Sequence, residues 1–340
     1  MKERKESRRP GADTRYTYAV GRIKALEARL ISTADMYRLL EEETQAEVLG
    51  ELAEFPDYAD MVAAGDSRPE EILEEQLRRA YEVVSELSLG SKVIKTLRLK
   101  YDFHNLKVLL KARLLEMEPK GFSTAGFLSM EQLARILDEK TFGSDVDAFA
   151  GEAILTALSA VDETTSIDGI ETILDRLYYE SFVSNLSVNP FLEEYARRTI
   201  NLINLRTFWR VQVMGWSAEK LSESLLPGGT VELTFFTANF ATPMKELLPQ
   251  IRDHLYRVIL GEALRAYQSR EDLSVLDKLA DDFLIELLRR GKGYCFGLEP
   301  LVGYIAAKEN EVTRLRTILY GKEKNLPTDM LRELSRRSYA

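Results

Sequence analysis

The sequence predicts an all-α fold of three pseudo-symmetric helical repeats that close into a funnel-like, pseudo-three-fold structure. Three observations carry this expectation. Apolar residues recur in steps of three and four along long stretches. Those stretches come in pairs interrupted by Gly or Pro. The paired unit then returns at an interval of roughly one hundred residues. A unit that cannot bury its own apolar face must stack on a neighbour, and three copies can do so by closing on one another.

The expected divisions are a basic flexible tail at 1–15 and helical repeats at 16–120, 121–216 and 217–340. The first long helix of each repeat is expected to open where a hydroxyl residue is followed three positions later by a carboxylate. These pairs are Ser67 with Glu70, Thr165 with Asp168, and Ser269 with Asp272. In such a pair the hydroxyl can accept an orphan N–H while the carboxylate complements the helix start. An acid-x-Leu step follows at Glu75, Asp175 and Asp277. The helices then stop at Leu89-Gly-Ser91, Val188-Asn-Pro190 and Gly291-Lys-Gly293. Pro190 and Pro300 stand near the start of two of the second helices, where a missing N–H costs nothing.

The second helices share a signature. It reads Asp102-Phe-His-Asn105-Leu-Lys107, then Asn201-Leu-Ile-Asn204-Leu-Arg206, then Glu311-Val-Thr-Arg314-Leu-Arg316. Its spacing lays Phe103, Leu106 and Leu110 on one face, matched by Leu202, Leu205 and Trp209 and by Val312, Leu315 and Leu319. The polar positions sit on the flank of that stripe. Two roles are open for them: bonding between helices to fix the repeat angle, or lining a central cavity. Short helices are expected near Met36, Met130 and Ala218, and the β-like composition of Thr230–Phe240 is read as helix or loop for want of a partner strand.

Composition excludes much chemistry. The 340 residues are 45% hydrophobic and 30% charged, enough for a core and too poor in Gly and Pro for a low-complexity chain. A single cysteine, Cys295, allows no disulfide framework and no cysteine-built metal site. No apolar run approaches the roughly 18 residues a membrane helix needs, and the charged start lacks the apolar core of a secretory signal. The chain reads as soluble and intracellular. Residues 1–15 and 308–340 each carry +3, so a net charge of −9 leaves the body at −15. An acidic body argues against nucleic-acid binding, which needs a clustered basic face.

The chemically suggestive residues have bland readings beside them. His104 has Ile203 and Thr313 as its counterparts in the other two copies, neither capable of imidazole chemistry, so a packed or hydrogen-bonded histidine is expected, and His254 is read as a surface or packing residue. Cys295 is read as a buried structural thiol. Gly291–Gly297 lacks the spacing and the preceding strand of a phosphate loop and is read as a helix-ending turn. Asp281, Asp282 and Glu286 could share a hard cation on one helix face, as in a magnesium-dependent all-α enzyme, but no companion motif follows, and a solvated face is the simpler reading.

Several stretches together resemble a known family. They are Tyr16–Leu30, Asp102–Lys107 with Leu109 and Leu110, Ala307–Arg316 and the Pro-Gly-Gly loop near 228. Their order and spacing resemble the C subunit of prokaryotic V-type/A-type ATPases, the counterpart of the eukaryotic d subunit, over residues 16–322. The resemblance implies a funnel-shaped rotor subunit with no catalytic residues and no cofactor. It implies that the central coiled-coil shaft and the cytoplasmic loops of the membrane rotor ring are partners, and that the protein is peripheral on the cytoplasmic side of the cell membrane. Torque would pass through it between ATP hydrolysis or synthesis and proton or sodium movement. Neither nucleic acid nor direct membrane insertion is expected, and the isolated chain is expected to be monomeric. The third copy departs from the others by carrying Glu311 and Arg314, an ionic pair where the others are rich in amides. A helical-repeat scaffold for some other protein is the alternative reading, with the magnesium-dependent enzyme behind it.

Overall fold

The computed structural model describes residues 9–63, 68–161 and 166–340, and every regular element among them is an α-helix or a short 3-10 turn. The chain forms two compact units. One contains the described residues up to Leu73 together with those from Asn189 onward; the other is Glu74–Val188.

A 3-10 turn at Thr14–Tyr16 leads into α1 (Thr17–Glu27), followed by α2 (Thr33–Glu41), α3 (Gln45–Leu52) and α4 (Ala59–Ala63). The first long pair is α5 (Pro69–Leu87) and α6 (Lys92–Leu114). After α7 (Met130–Glu139) and α8 (Ala148–Val161) comes the second, α9 (Ile167–Leu186) and α10 (Pro190–Val213). Then α11 (Ala218–Ser224), α12 (Leu233–Ala238), α13 (Met244–Leu247) and α14 (His254–Arg270) precede the third pair, α15 (Ser274–Arg289) and α16 (Glu299–Glu323), with α17 (Thr328–Leu334) last.

The breaks between paired helices fall where Gly, Pro and capping residues demand them. Leu89 and Gly90 take left-handed φ of 53° and 73°, and Ser91 then caps α6. Asn189 caps α10 by accepting the N–H groups of Phe191 and Leu192, with Pro190 in the first turn. A 3-10 turn at Arg290–Gly293 follows α15.

The expected helix starts fare differently. Ser67 and Thr165 lie outside the described residues; α9 is capped by Ser166, whose Oγ accepts the Gly169 N–H at 3.0 Å. The Ser269 start is not made, because α14 runs on to Arg270 and is closed by Glu271 in the left-handed region. Ser269 donates instead to the Ala266 carbonyl of its own helix. The start of α15 is set by Asp272, which accepts the N–H and hydroxyl of Ser274 at 2.7 and 2.6 Å. The β-like stretch 230–240 folds as loop and as α12.

The second helices α6, α10 and α16 also end alike, a feature outside the sequence expectations. Glu116, Gly215 and Asn325 are left-handed, with φ of 52°, 65° and 55°. The next residue, Met117, Trp216 or Leu326, donates back to Ala112, Val211 or Gly321 at 2.8, 3.0 and 2.8 Å. This is the six-to-one closure of a Schellman motif, at one register relative to all three signatures.

In the 74–188 unit, α6 and α9 lie antiparallel: Thr96 meets Asn185, and Lys107 and Lys111 meet Asp175 and Glu171. The Phe103 and Tyr178 rings fill the space between them at 5.9 Å. Two apolar clusters lie in the other unit among the described residues. One joins Leu202, Leu205, Phe208 and Trp209 of α10 to Phe236, Tyr256, Leu260 and Leu276. The other joins Val312, Leu315, Ile318 and Leu319 of α16 to Met36, Leu39, Leu52 and Ile72. The expected stripes are buried in all three helices, except that Leu110 is half-buried and Leu109 takes the inner position.

Candidate functional site

Asp102 with Asn105, Asn201 with Asn204, and Glu311 occupy three comparable joints in which a buried polar side chain grips the backbone of a loop. A loop packed against helices must find partners for its N–H groups away from water. In the first joint, the Asp102 carboxylate accepts the N–H groups of Phe127 and Leu128 at 3.1 and 2.9 Å. One turn on, Asn105 accepts the Ser123 N–H at 2.9 Å and donates to the Ser123 carbonyl at 2.8 Å.

The second joint repeats this geometry. Asn201 Oδ1 accepts the N–H groups of Thr230 and Val231, while its Nδ2 donates to the Thr230 and Tyr256 hydroxyls. Asn204 accepts from and donates to the backbone of Leu226, both at 2.8 Å. In both joints the two gripped segments are five residues apart, 123 to 128 and 226 to 231. The helix that follows is α7 in one case and α12 in the other. The counterpart of the Met130 helix is therefore α12, and α11, which begins at Ala218, is an insertion ahead of the loop.

A glycine lets each loop come close enough. A Cβ on Gly126 would lie 2.6 Å from Asp102 Oδ1, and one on Gly229 would lie 2.3 Å from Asn201 Oδ1. A basic residue one turn before each signature completes the grip. Arg98 donates to the carbonyls of Ala125 and Gly126, and Arg197 to that of Gly228. Burial pushes the Asp102 carboxyl up to about 7, against the lowering pull of the two N–H donors and the Arg98 charge. These glycines and arginines are not among the sequence candidates, although Arg98 and Arg197 are visible four positions before Asp102 and Asn201.

The third joint uses a segment from the start of the chain and ionic chemistry. Glu311 Oε2 accepts the N–H of Ile31, which precedes the Ser32 cap of α2, at 2.7 Å. Its Oε1 accepts the Tyr58 hydroxyl and the Lys308 ammonium, each at 2.7 Å. Lys308 is 2% exposed and also reaches Asp57 at 3.0 Å, and Asp57 pairs with Arg29. Burial would lower the Lys308 ammonium, but the carboxylates of Glu311 and Asp57 outweigh it and hold it up at about 12. Arg314, the counterpart of Asn105 and Asn204, is buried and its Nε has no hydrogen-bond partner.

The last signature position pairs with an acid on the first helix of another long pair. Lys107 pairs with Asp175 of α9. Arg206 Nε lies 2.6 Å from Asp277 of α15, and Arg316 holds Glu70 of α5 through Nε and Nη2. Two of these acids belong to the acid-x-Leu step. On α5, Glu70 takes the place of Glu75, which Arg78 and Arg79 hold well below the usual carboxylate range, at about 2.

The remaining candidates do not converge on a reactive centre. His104 Nε2 is 2.9 Å from the Gly121 carbonyl, and His254 is the exposed first residue of α14. Cys295 is exposed, contrary to the buried thiol expected: it lies in the short connection between the 3-10 turn and α16, where no helix periodicity turns it inward. Asp281 pairs with Arg336, Asp282 with Lys278 and the Arg337 N–H, and Glu286 with Arg289, so the three acids point to three different cations. Among the described residues, no cluster of three metal-ligating side chains occurs and no helix is long and apolar enough to cross a membrane.

The family model described as ATP synthase (C/AC39) subunit matches residues 19–334. The C subunit of the A-type ATP synthase of Methanocaldococcus jannaschii is 27% identical, covering 94% of this chain and 86% of its own. That of Desulfurococcus sp. (strain SY) is 28% identical, covering 95% and 91%. The C subunit of the V-type sodium ATPase of Enterococcus hirae is 25% identical, covering 93% and 97%. With the match running through all three signature helices, the chain belongs to the ATP synthase (C/AC39) subunit family.

Proposed function

We propose that this protein is a non-catalytic rotor subunit of an A-type or V-type ATPase. It links the central coiled-coil shaft to the cytoplasmic loops of the membrane ring, so that torque couples ATP turnover to ion transport. The observation that carries this reading is family membership across nearly the whole chain. The site supports it in kind: the signature residues are used up in packing, and what they build is a shape. In this reading the three repeats close into a pseudo-three-fold funnel that holds the shaft. The signature residues themselves then fix repeat angles and leave shaft contact to other side chains.

The attachment to the membrane is expected to be peripheral and polar, since no described helix could span a bilayer. Exposed charge pairs are screened beyond about 10 Å at 0.1 M salt. Washing membranes that carry the assembled ATPase with salt or chaotrope should therefore release this chain without detergent. A chain released only by detergent would contradict the peripheral placement.

A further inference from the structure

The six residues after α17 lie outside the family match, which ends at residue 334, yet they are docked along their length. Arg336 Nε donates to Asp281 at 2.6 Å, and the Arg337 N–H donates to Asp282 at 2.5 Å. Tyr339 is 2% exposed. Its hydroxyl donates to Glu27 of α1 at 3.2 Å, and Lys292 stands 5.2 Å above its ring. The floor of its socket is Gly303 of α16, where a Cβ would come within 2.5 Å of the Tyr339 hydroxyl. The socket thus has two carboxylates, a flat glycine floor, a buried acceptor and a cation for the ring face.

We propose that this socket is a peptide-binding site for a basic-aromatic segment of the type Arg-Arg-x-Tyr, and that residues 335–340 are its ligand, a detachable strap that ties α1, α15 and α16 together. Of the adjacent acids, Asp281 takes a guanidinium of this ligand and Asp282 a backbone N–H. The aromatic side chain supplies the buried part of the contact and the arginine the screened part, its side chain being 21% exposed against 36% for Asp281. A segment held by one buried ring and three hydrogen bonds opens more readily than the helices beneath it. The inference does not depend on the rotor reading.

Trypsin tests the strap in the full chain, because cleavage after Arg336 and Arg337 tracks the undocked population when reclosing is fast. Lys120, in the exposed connection between α6 and α7, is the internal reference. In the native chain, cleavage after Arg336 and Arg337 should be at least about tenfold slower than after Lys120. Gly303→Ala removes the socket floor while favouring the helix, and Tyr339→Ala removes the ring. Each should speed strap cleavage about tenfold with the Lys120 rate unchanged. A full-length chain carrying Arg336→Ala and Tyr339→Ala should bind a fluorescent peptide of residues 333–340, and about tenfold more weakly when the peptide tyrosine is replaced by alanine. Strap cleavage at the Lys120 rate in the native chain would overturn the proposal. So would failure of that double variant, with its helical signal intact, to bind the peptide.

Discussion

Asp102 has no solvent exposure and faces two N–H groups and a guanidinium, and burial still pushes its carboxyl up to about 7. The native state therefore holds the proton more tightly than the unfolded chain. Between the two pKa values it binds more protons, and stability falls as pH rises from about 4 to about 7, by up to about 4 kcal/mol. Asp102→Asn abolishes this titration and can reproduce the grip, since Asn201 already takes two N–H groups with one oxygen. Denaturant unfolding at pH 5 and pH 8 should give a flatter pH dependence for Asp102→Asn and a variant more stable than the native chain at pH 8. Parallel pH profiles would contradict the account. The glycines opposite the signatures provide a second test. Gly229→Ala forces a Cβ to 2.3 Å from Asn201 Oδ1 and should cost about 1–3 kcal/mol. Gly21→Ala, in α1 with nothing within 4 Å, should be neutral or stabilising by up to about 1 kcal/mol.

The signature residues stand out in the sequence because each set lies within one helix at fixed spacing. Their partners do not, for a physical reason. The loops they grip lie 18 residues beyond Asn105 and 22 beyond Asn204, and the third is supplied 280 residues earlier in the chain. A helix imposes a period; a loop imposes only that its ends and its buried N–H groups be satisfied. The insertion of α11 shifts one loop without disturbing its joint, which is why the sequence pairs Ala218 with the wrong helix. Cys295 departs from expectation for a similar reason, since an apolar flank of Tyr and Phe on a turn does not fix which side faces water.

At the scale of elements, the contacts that join one helix to the next differ in weight. The Arg206–Asp277 pair is about one-third exposed on both sides, so Arg206→Ala should cost no more than about 1 kcal/mol. Asn204 is fully buried and satisfies both backbone groups of Leu226, so Asn204→Ala should cost about 2–3 kcal/mol. In the third joint Lys308→Met leaves Glu311 buried without its cation and should cost about 3–5 kcal/mol. Adding Glu311→Gln should cost less than the sum of the two single changes, because each has already broken the same pair. Additive losses in this cycle would show that the ionic pair is not what closes the third joint.

At the scale of the whole molecule, the family match over residues 19–334 makes the chain an ATP synthase (C/AC39) subunit, and the proposed role is one of shape and contact. That the fold is all-α is legible in the sequence because apolar residues recur in steps of three and four along its long stretches. The packing role of the signature positions is legible only as one of two options, since a polar flank reads the same whether it meets a loop or a cavity. The most direct test of the central claim is binding of the purified full chain to the purified central-shaft complex of the same ATPase, at low and moderate salt. The account predicts a one-to-one complex that survives Asp102→Asn, a change confined to a buried joint. No complex with a demonstrably folded shaft would contradict it and leave a helical repeat protein with a different client.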